Sequence, residues 1–459
     1  MKINSGLKNG AVLQRNEDNL CEILVDAEFS GNPTSNFGYF EKIEDNLWKF
    51  KGVFVGGPYE ITVNDDTSSS TFIDIYVGDV WLLAGQSNME ASGHPTYKDK
   101  IYEADTKPYL RALYMEEEWK PAKPILSNSS KSTVQVHLNA HNAWIDSIKE
   151  RNITVRDIPP YEIQRRVGSG LWFAEEMFRL TDGVPQGLIP SAVGGSPIEM
   201  WLPNSENRNY FDAAARRINL AGNNIKGVLW AQGEGNPNWE IYPKQIKTIR
   251  NKICEQIGVD EIPFVQLQSF RCTIDLSYET DCCWSRFREM QRNMQCILPK
   301  TETIATNDLG LCDRIHLSSD SQKKCGIRLA NAMYHLVTGI GCPQPTIESI
   351  RLEKGLYVPD LVTVIEIKYK NTCGDLKAYG VPFGFTLRKI GFDGKPTIQD
   401  IEKIMIKKNT VCISIEKNIE EVKEYELFYG FGNDFYCNIT DGEDRAIPAM
   451  GPIRMKDYI

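Results

Sequence analysis

His316 is the histidine of this chain with an acid at a useful spacing. It stands in "DRIHLSSDSQKKCGIRLANAMYHL", with Asp313 three residues upstream and a long helical pattern downstream. On a turn, that spacing lets the Asp313 carboxylate reach the imidazole, fix its tautomer and stabilise the imidazolium. A base oriented in this way needs a nucleophile, and Ser87 offers one. It follows the apolar run of "DVWLLAGQSNM", flanked by Gly85, Gln86 and Asn88. Attack by such a serine on an acyl carbon builds negative charge on the carbonyl oxygen, so hydrogen-bond donors must face that point. The Ser87 backbone N–H, the Gly195 N–H and the Gln232 side-chain amide are the candidate donors.

Each of these features also has a plain structural reading. A Gly-x-Ser strand end is by itself a turn, and Gly194-Gly195 is by itself a turn signal. "QGEGN" could open a helix with Glu234 as an acidic cap. His316 could simply neighbour the N-cap of its helix. His94 reads as a loop residue and His335 as a structural one. His137 and His141 stand four residues apart, a spacing that could hold a metal, but no third ligand is evident. The expectation is therefore no metal site.

The serine, glycine and glutamine clusters need a scaffold that brings them together. "DVWLLAG", "VPQGLIPSAVGG", "NNIKGVLWAQGEG" and "IPFVQLQSF" read as strands buried on both faces. "GSGLWFAEEMFRLT", "NYFDAAARRINLAG" and "YPKQIKTIRNKICEQI" read as amphipathic helices between them. This alternation predicts an α/β layer fold, a parallel sheet flanked by helices. Sheets of that kind carry their sites at the carboxyl ends of the strands. Here those ends present Gly85-Gln86-Ser87-Asn88, Gly194-Gly195-Ser196, and the run from Gln232 through Glu234 to Asn236.

Residues 1–78 read as a small all-β module, rich in β-branched and aromatic residues with Gly/Asn/Asp turns. The catalytic domain is expected over 79–340, interrupted at about 108–165 by an insertion of loops and short helices. Residues 341–459 alternate as the strands of a second all-β domain, a sandwich.

A chain of 459 residues exceeds what one core holds, which agrees with several domains. A net charge of -9, with no basic block, argues against nucleic acid as a partner. The 12 cysteines are scattered without a Cys-x-x-Cys pair, so they read as reduced thiols rather than a disulfide framework or zinc site. The N-terminal "MKINSGLKNGAVLQRNED" lacks the apolar core of a signal peptide, and no apolar run spans a bilayer. Together these point to a cytoplasmic protein with no membrane partner. A trimmed secreted form is the alternative.

Taken in order, "GQSNM", "GLIPSAVGGSPIEMW", "LWAQGEGN" and "DRIH" resemble the sialate O-acetylesterase and acetyl xylan esterase branch of the SGNH-hydrolase superfamily. The flanks resemble it too, in "GAVLQR" and "GGPYEITV" near the start and "NDFYCNITDGEDRAIPAMGPIRM" near the end. The resemblance implies a three-layer SGNH-hydrolase domain with all-β modules on both sides. It implies Ser87 as nucleophile, His316 as base and then acid, and Asp313 as the group that orients it. It further implies Gly195 as the oxyanion glycine, with Gly194 the competing choice. Gln232 then stands where more distant members use Asn, and Glu234 organises its loop. The insertion at 108–165 and the "AIPAMGPIRM" tail depart from the family pattern.

The function so implied is removal of an O-acetyl group from a sugar through an acetyl-serine, with no metal or organic cofactor. Glu234, Asn236 and Trp201 are the expected substrate contacts. Trp239 and Trp284 are further candidates, though each tryptophan is equally a core residue. A carbohydrate-binding protein with an inactive site is one competitor, opposed by the intact Ser87, Asp313 and His316. A lipase or thioesterase is another, opposed by the polar, charged loops. O-acetylated sialic acid and acetylated oligosaccharides are the two expected substrate classes.

Overall fold

The strand Ser69–Gly85 changes character halfway along its length. Its first six residues are partly or fully exposed, and its last eleven are all buried. The exposed half pairs antiparallel with Gly56–Asn64, as a one-faced strand does. The buried half lies between two parallel neighbours, Gln186–Pro190 on one side and Gly227–Ala231 on the other. A strand so placed has no solvent face, which explains the unbroken apolar run from Val80 to Ala84. The expected domain boundary at residue 78 falls inside this strand.

The computed structural model describes residues 1–93, 106–150, 167–203, 209–235, 238–273, 278–390 and 396–458. The chain groups into two compact units whose limits do not follow chain order. One comprises Met1–Gly235, Lys244–Phe264 and His316–Tyr334; the other comprises Asn236–Pro243, Val265–Ile315 and His335–Ile459.

In the first unit the sheet continues outward from Gln186–Pro190 through Leu110–Leu113 to Trp119–Pro121. The Trp119–Pro121 edge runs antiparallel to its neighbour, so the sheet is mixed rather than wholly parallel. The region expected as an insertion of loops and short helices therefore supplies two sheet strands and a 16-residue helix, Gln135–Glu150. Leu110–Leu113 is buried throughout, but a four-residue strand is too short for periodicity to reveal. The helix is longer than expected because polar residues dominate it and blur its periodicity. Residues 151–165 of that region lie outside the described residues.

Helices Gly170–Leu180 and Tyr210–Leu220 follow the expected segments closely. Gly170 lets the first of them sit tight on the sheet, because a Cβ there would meet Leu83 Cδ2 at 2.6 Å. The N-terminal residues form a separate four-stranded antiparallel sheet around Leu20–Glu28, whose side chains alternate between buried and half-buried.

The second unit holds two four-stranded antiparallel sheets, one centred on Thr363–Lys370 and one on Phe385–Ile390 and Glu426–Tyr429. Ile365, Ile367, Tyr369, Leu387, Ile413, Leu427 and Tyr429 from both sheets share one core, as in a sandwich. The divergent tail is structural here. The strand Met450–Arg454 hydrogen-bonds into the second sheet, and the Gly451 N–H donates to Glu289 Oε2 at 2.9 Å on the helix Tyr278–Arg292. On that helix the buried Arg288 guanidinium donates to the carbonyls of Ser269, Phe270 and Gly432 at 2.6 to 3.1 Å.

Gly85 is a position where the central strand tolerates no side chain. Its φ is +118°, and a Cβ would run into the carbonyl of Ala231 on the adjacent strand. Gly85→Ala is expected to lose about 3 kcal/mol of stability or more, combining backbone strain with a clash. A thermal melt checks this, and an unchanged Tm would show that the turn relaxes more easily than the geometry implies.

Candidate active site

The central strand ends at Gly85, and the chain reverses at once. The Gln86 N–H still donates to the Ala231 carbonyl at 2.7 Å, holding the first turn residue to the sheet. Gln86 is extended, and Ser87–Glu90 forms a single helical turn. Asn88 and Met89 are buried beneath it, which leaves the Ser87 side chain half-buried at the carboxyl end of the sheet. Four residues carry little macrodipole, so charge stabilisation near Ser87 falls to individual N–H groups.

His316 reaches this turn from the far end of the chain. Its Nε2 lies 3.1 Å from Ser87 Oγ, a hydrogen-bonding distance. For Nε2 to accept the serine proton, the ring's own proton must sit on Nδ1. Asn88 fixes the approach. Its Oδ1 accepts the Leu317 N–H at 3.1 Å and the Ser92 hydroxyl at 2.7 Å. Gln322 Nε2, on the helix after His316, donates to the Asn88 carbonyl at 3.1 Å and to Ser92 Oγ at 2.7 Å. Asn88 and Gln322 are both fully buried. Neither was singled out from sequence, although a fully polar "QSN" directly after a buried strand carries the signal of a side-chain network.

The 193–196 loop forms the opposite wall. The Val193 N–H donates to the Gly85 carbonyl at 3.0 Å. Ser196 Oγ donates to the Val193 carbonyl at 2.7 Å, and Trp201 Nε1 donates back to Ser196 Oγ at 3.0 Å. Gln232 Nε2 reaches the Ser196 carbonyl at 3.4 Å. Gly194 is drawn aside by Glu90, whose Oε2 accepts its N–H at 2.6 Å while Oε1 accepts the Ser129 hydroxyl at 3.0 Å. A Cβ on Gly194 would lie 3.7 Å from Ser87 Cβ, so this loop borders the serine. Gly195 follows with φ +69° and is exposed. Among the described residues, the Ser87 and Gly195 N–H groups donate no hydrogen bond, whereas that of Gly194 does. Burial pushes the Glu90 carboxyl above its ordinary range, against the two hydrogen bonds that pull it down.

The remaining expected residues divide. Asp313 sits in an exposed bend, where Oδ1 accepts the Ile315 N–H at 3.0 Å and so shapes the turn leading to His316. Gln232 and Glu234 are buried at the end of Gly227–Ala231. Trp201 is not a substrate contact. It is 1% exposed, packed edge-on against Trp230, and its N–H is committed to Ser196. Trp284 is likewise buried, while Trp239 is half-exposed beneath the Arg286 guanidinium at 5.6 Å. Asn236 and His94 lie outside the described residues. His137 is a core residue: its Nδ1 lies 2.9 Å from Ser132 Oγ, and burial pushes its pKa down to about 4. Among the described residues, no group of three or more His, Cys, Asp or Glu is placed to hold a metal.

A serine on a strand-end turn, in contact with an imidazole at the edge of a layered α/β sheet, is the arrangement of an ester hydrolase. Residues 77–335 match the family of carbohydrate esterases described as sialic acid-specific acetylesterases, and the chain belongs to that family. It is 23% identical over 262 residues to a probable carbohydrate esterase of Arabidopsis thaliana, covering 55% of this chain and 89% of that protein. It is 25% identical over 209 residues to the human sialate O-acetylesterase, covering 40% of this chain and 37% of that protein. The chain thus spans little more than a third of the human relative. The fold is similar to that of a carbohydrate acetylesterase from Xanthomonas citri, with a TM-score of 0.70, 20% identity, and coverage of 98% of this chain and 99% of that one.

The braces around Ser87 can be separated by substitution. Asn88→Ala removes the link to Leu317 and should lower kcat by roughly 10–100-fold with little change in KM, since a small misplacement of the base suffices. Glu90→Gln keeps an acceptor for the Gly194 N–H and should retain most activity. Glu90→Ala frees the loop and should not. Steady-state kinetics on folded variants decides both, and equal activity of Glu90→Ala and Glu90→Gln would remove Glu90 from the machinery.

Proposed function

We propose that this carbohydrate esterase removes O-acetyl groups from a sugar by way of an acetyl-Ser87 intermediate. The observation that carries the reading is the 3.1 Å contact between His316 Nε2 and Ser87 Oγ. Ser87 Oγ attacks the acetyl carbonyl as its proton passes to His316 Nε2. The oxyanion meets the Ser87 and Gly195 N–H groups. Gln232 supports the loop that carries Gly195, through its bond to the Ser196 carbonyl. His316 then returns its proton to the sugar oxygen as the C–O bond breaks. Water attacks the acetyl-enzyme with His316 again as base, and acetate leaves. Asp313 is assigned to hold the imidazole in the required tautomer, and Glu234 and Asn236 to the sugar side.

Sugar-linked acetyl groups favour this reading over long acyl chains. Gly194 and the Glu90 carboxyl crowd Ser87, and polar side chains dominate the surrounding braces. The sugar is named by its chemistry as an O-acetylated monosaccharide or short oligosaccharide, with O-acetylated sialic acid the first member to try.

Acetate release from O-acetylated sialic acid, acetylated xylo- and manno-oligosaccharides, and 4-nitrophenyl esters of rising chain length is the test. Release from one sugar class, with short esters preferred over long, is expected. Ser87→Ala should lower it on the order of a thousand-fold or more. Folded wild-type protein that releases acetate from none of them would leave a sugar-binding role instead.

A further inference from the structure

Two cysteines in the second unit share one guanidinium, one through its carbonyl and one through its thiol. Cys342 lies shortly after the helix Ser319–Thr338, and Cys373 lies just after the strand Thr363–Lys370. They are held near each other by a buried ion pair. Arg445 Nη2 and Asp441 Oδ2 are 2.7 Å apart, with side chains 4% and 0% exposed. Arg445 Nη1 donates to the carbonyls of Cys342 and Pro343 at 3.0 and 2.9 Å. Its Nη2 donates to the carbonyl of Asn371 at 2.8 Å and to Cys373 Sγ at 3.1 Å. Asp441 Oδ2 accepts the Cys373 N–H at 2.9 Å. Cys342 Sγ donates at 3.2 Å to the Asn371 carbonyl, the same oxygen that Arg445 Nη2 holds beside Cys373 Sγ. Both cysteines are reduced and only half-buried, so a small reagent reaches them.

We propose that Cys342 and Cys373 are a redox-active pair that closes to a disulfide when it meets a small-molecule disulfide oxidant. A buried ion pair is a poor source of net stability, but it fixes geometry well, and here it fixes two chain segments with both cysteines beside one guanidinium. The Cys342 thiolate attacks one sulfur of glutathione disulfide, forming a mixed disulfide and expelling one glutathione thiolate, which takes up the Cys342 proton. The Cys373 thiolate then attacks the Cys342 sulfur and expels the second glutathione, which takes up the Cys373 proton. Two protein thiols lose two hydrogens, and the oxidant leaves as two thiols. Burial pushes the Cys373 thiol up to about 12 while Arg445 pulls it down. The product ties the segment leaving the Ser319–Thr338 helix to the sandwich and restricts the unfolded chain.

The test uses the full chain, equilibrated with glutathione at stepped ratios of disulfide to thiol, quenched with acid, alkylated and digested without reduction. Mass mapping is expected to find a peptide pair joined through Cys342 and Cys373, lighter by two hydrogens than its parts and released by dithiothreitol. The oxidised protein should melt higher than the reduced one. Cys342→Ser should abolish the pair, and Cys283→Ser, at an exposed thiol elsewhere, should leave it intact. Finding Cys342 and Cys373 only as separate glutathione adducts or alkylated thiols at every ratio would overturn the proposal, as would cross-links from either to a different cysteine. The wild-type map decides even where a variant fails to fold.

Discussion

The hydrogen bond from the Leu317 N–H to the Asn88 side chain is the constraint on which the site depends. A histidine poised over a serine gains little from that contact alone, because one hydrogen bond to a mobile hydroxyl nets about 1 kcal/mol. Asn88 supplies what the contact lacks. It is buried at the root of the serine turn, and it takes hold of the residue next to the imidazole. Gln322 repeats the link from the first turns of the following helix. In a buried setting such bonds polarise one another, and none can swing away without leaving a desolvated group behind. The distance between Ser87 and His316 is thus set by a network that touches neither Ser87 Oγ nor His316 Nε2.

The second wall obeys a different logic. A carboxyl beside the proposed oxyanion site is electrostatically unwelcome, yet Glu90 stands three residues from Ser87. Two facts reconcile this. Burial pushes its carboxyl toward the neutral form. Its Oε2 also occupies the Gly194 N–H, and the next one belongs to Gly195, exposed and at a positive φ. Ser196, Trp201 and Gln232 then brace the loop from behind. Trp201 was legible as a large aromatic near the site. Its role as a brace became visible only through its burial, which sequence does not report.

How much could be read beforehand varies by element for physical reasons. The strand at Val80–Gly85 and the helix at Tyr242–Ile257 were legible because an unbroken apolar run and a 3.6-residue repeat each report burial directly. Ser87 and His316 were legible because their chemistry is rare and their neighbours distinctive. Leu110–Leu113 was missed, since four residues hold too few periods to count. The boundary at residue 78 was drawn where the composition changes, but the backbone continues there, because an edge strand and a central strand are one piece of chain. Asn88, Glu90 and Gln322 were missed as partners because their value lies in pairings across long sequence separations, which no local pattern contains.

That separation has a kinetic consequence. Ser87 and His316 meet across 229 residues of chain. Loop closure on that scale comes after local helices and hairpins have formed. On the proposed mechanism, ester cleavage therefore arrives at the end of folding rather than with the secondary structure. During refolding, the chain is expected to pass through an interval in which it looks native by its helical signal and yet cleaves nothing. The active site works as a late gauge of whether the ends of the hydrolase region have found each other.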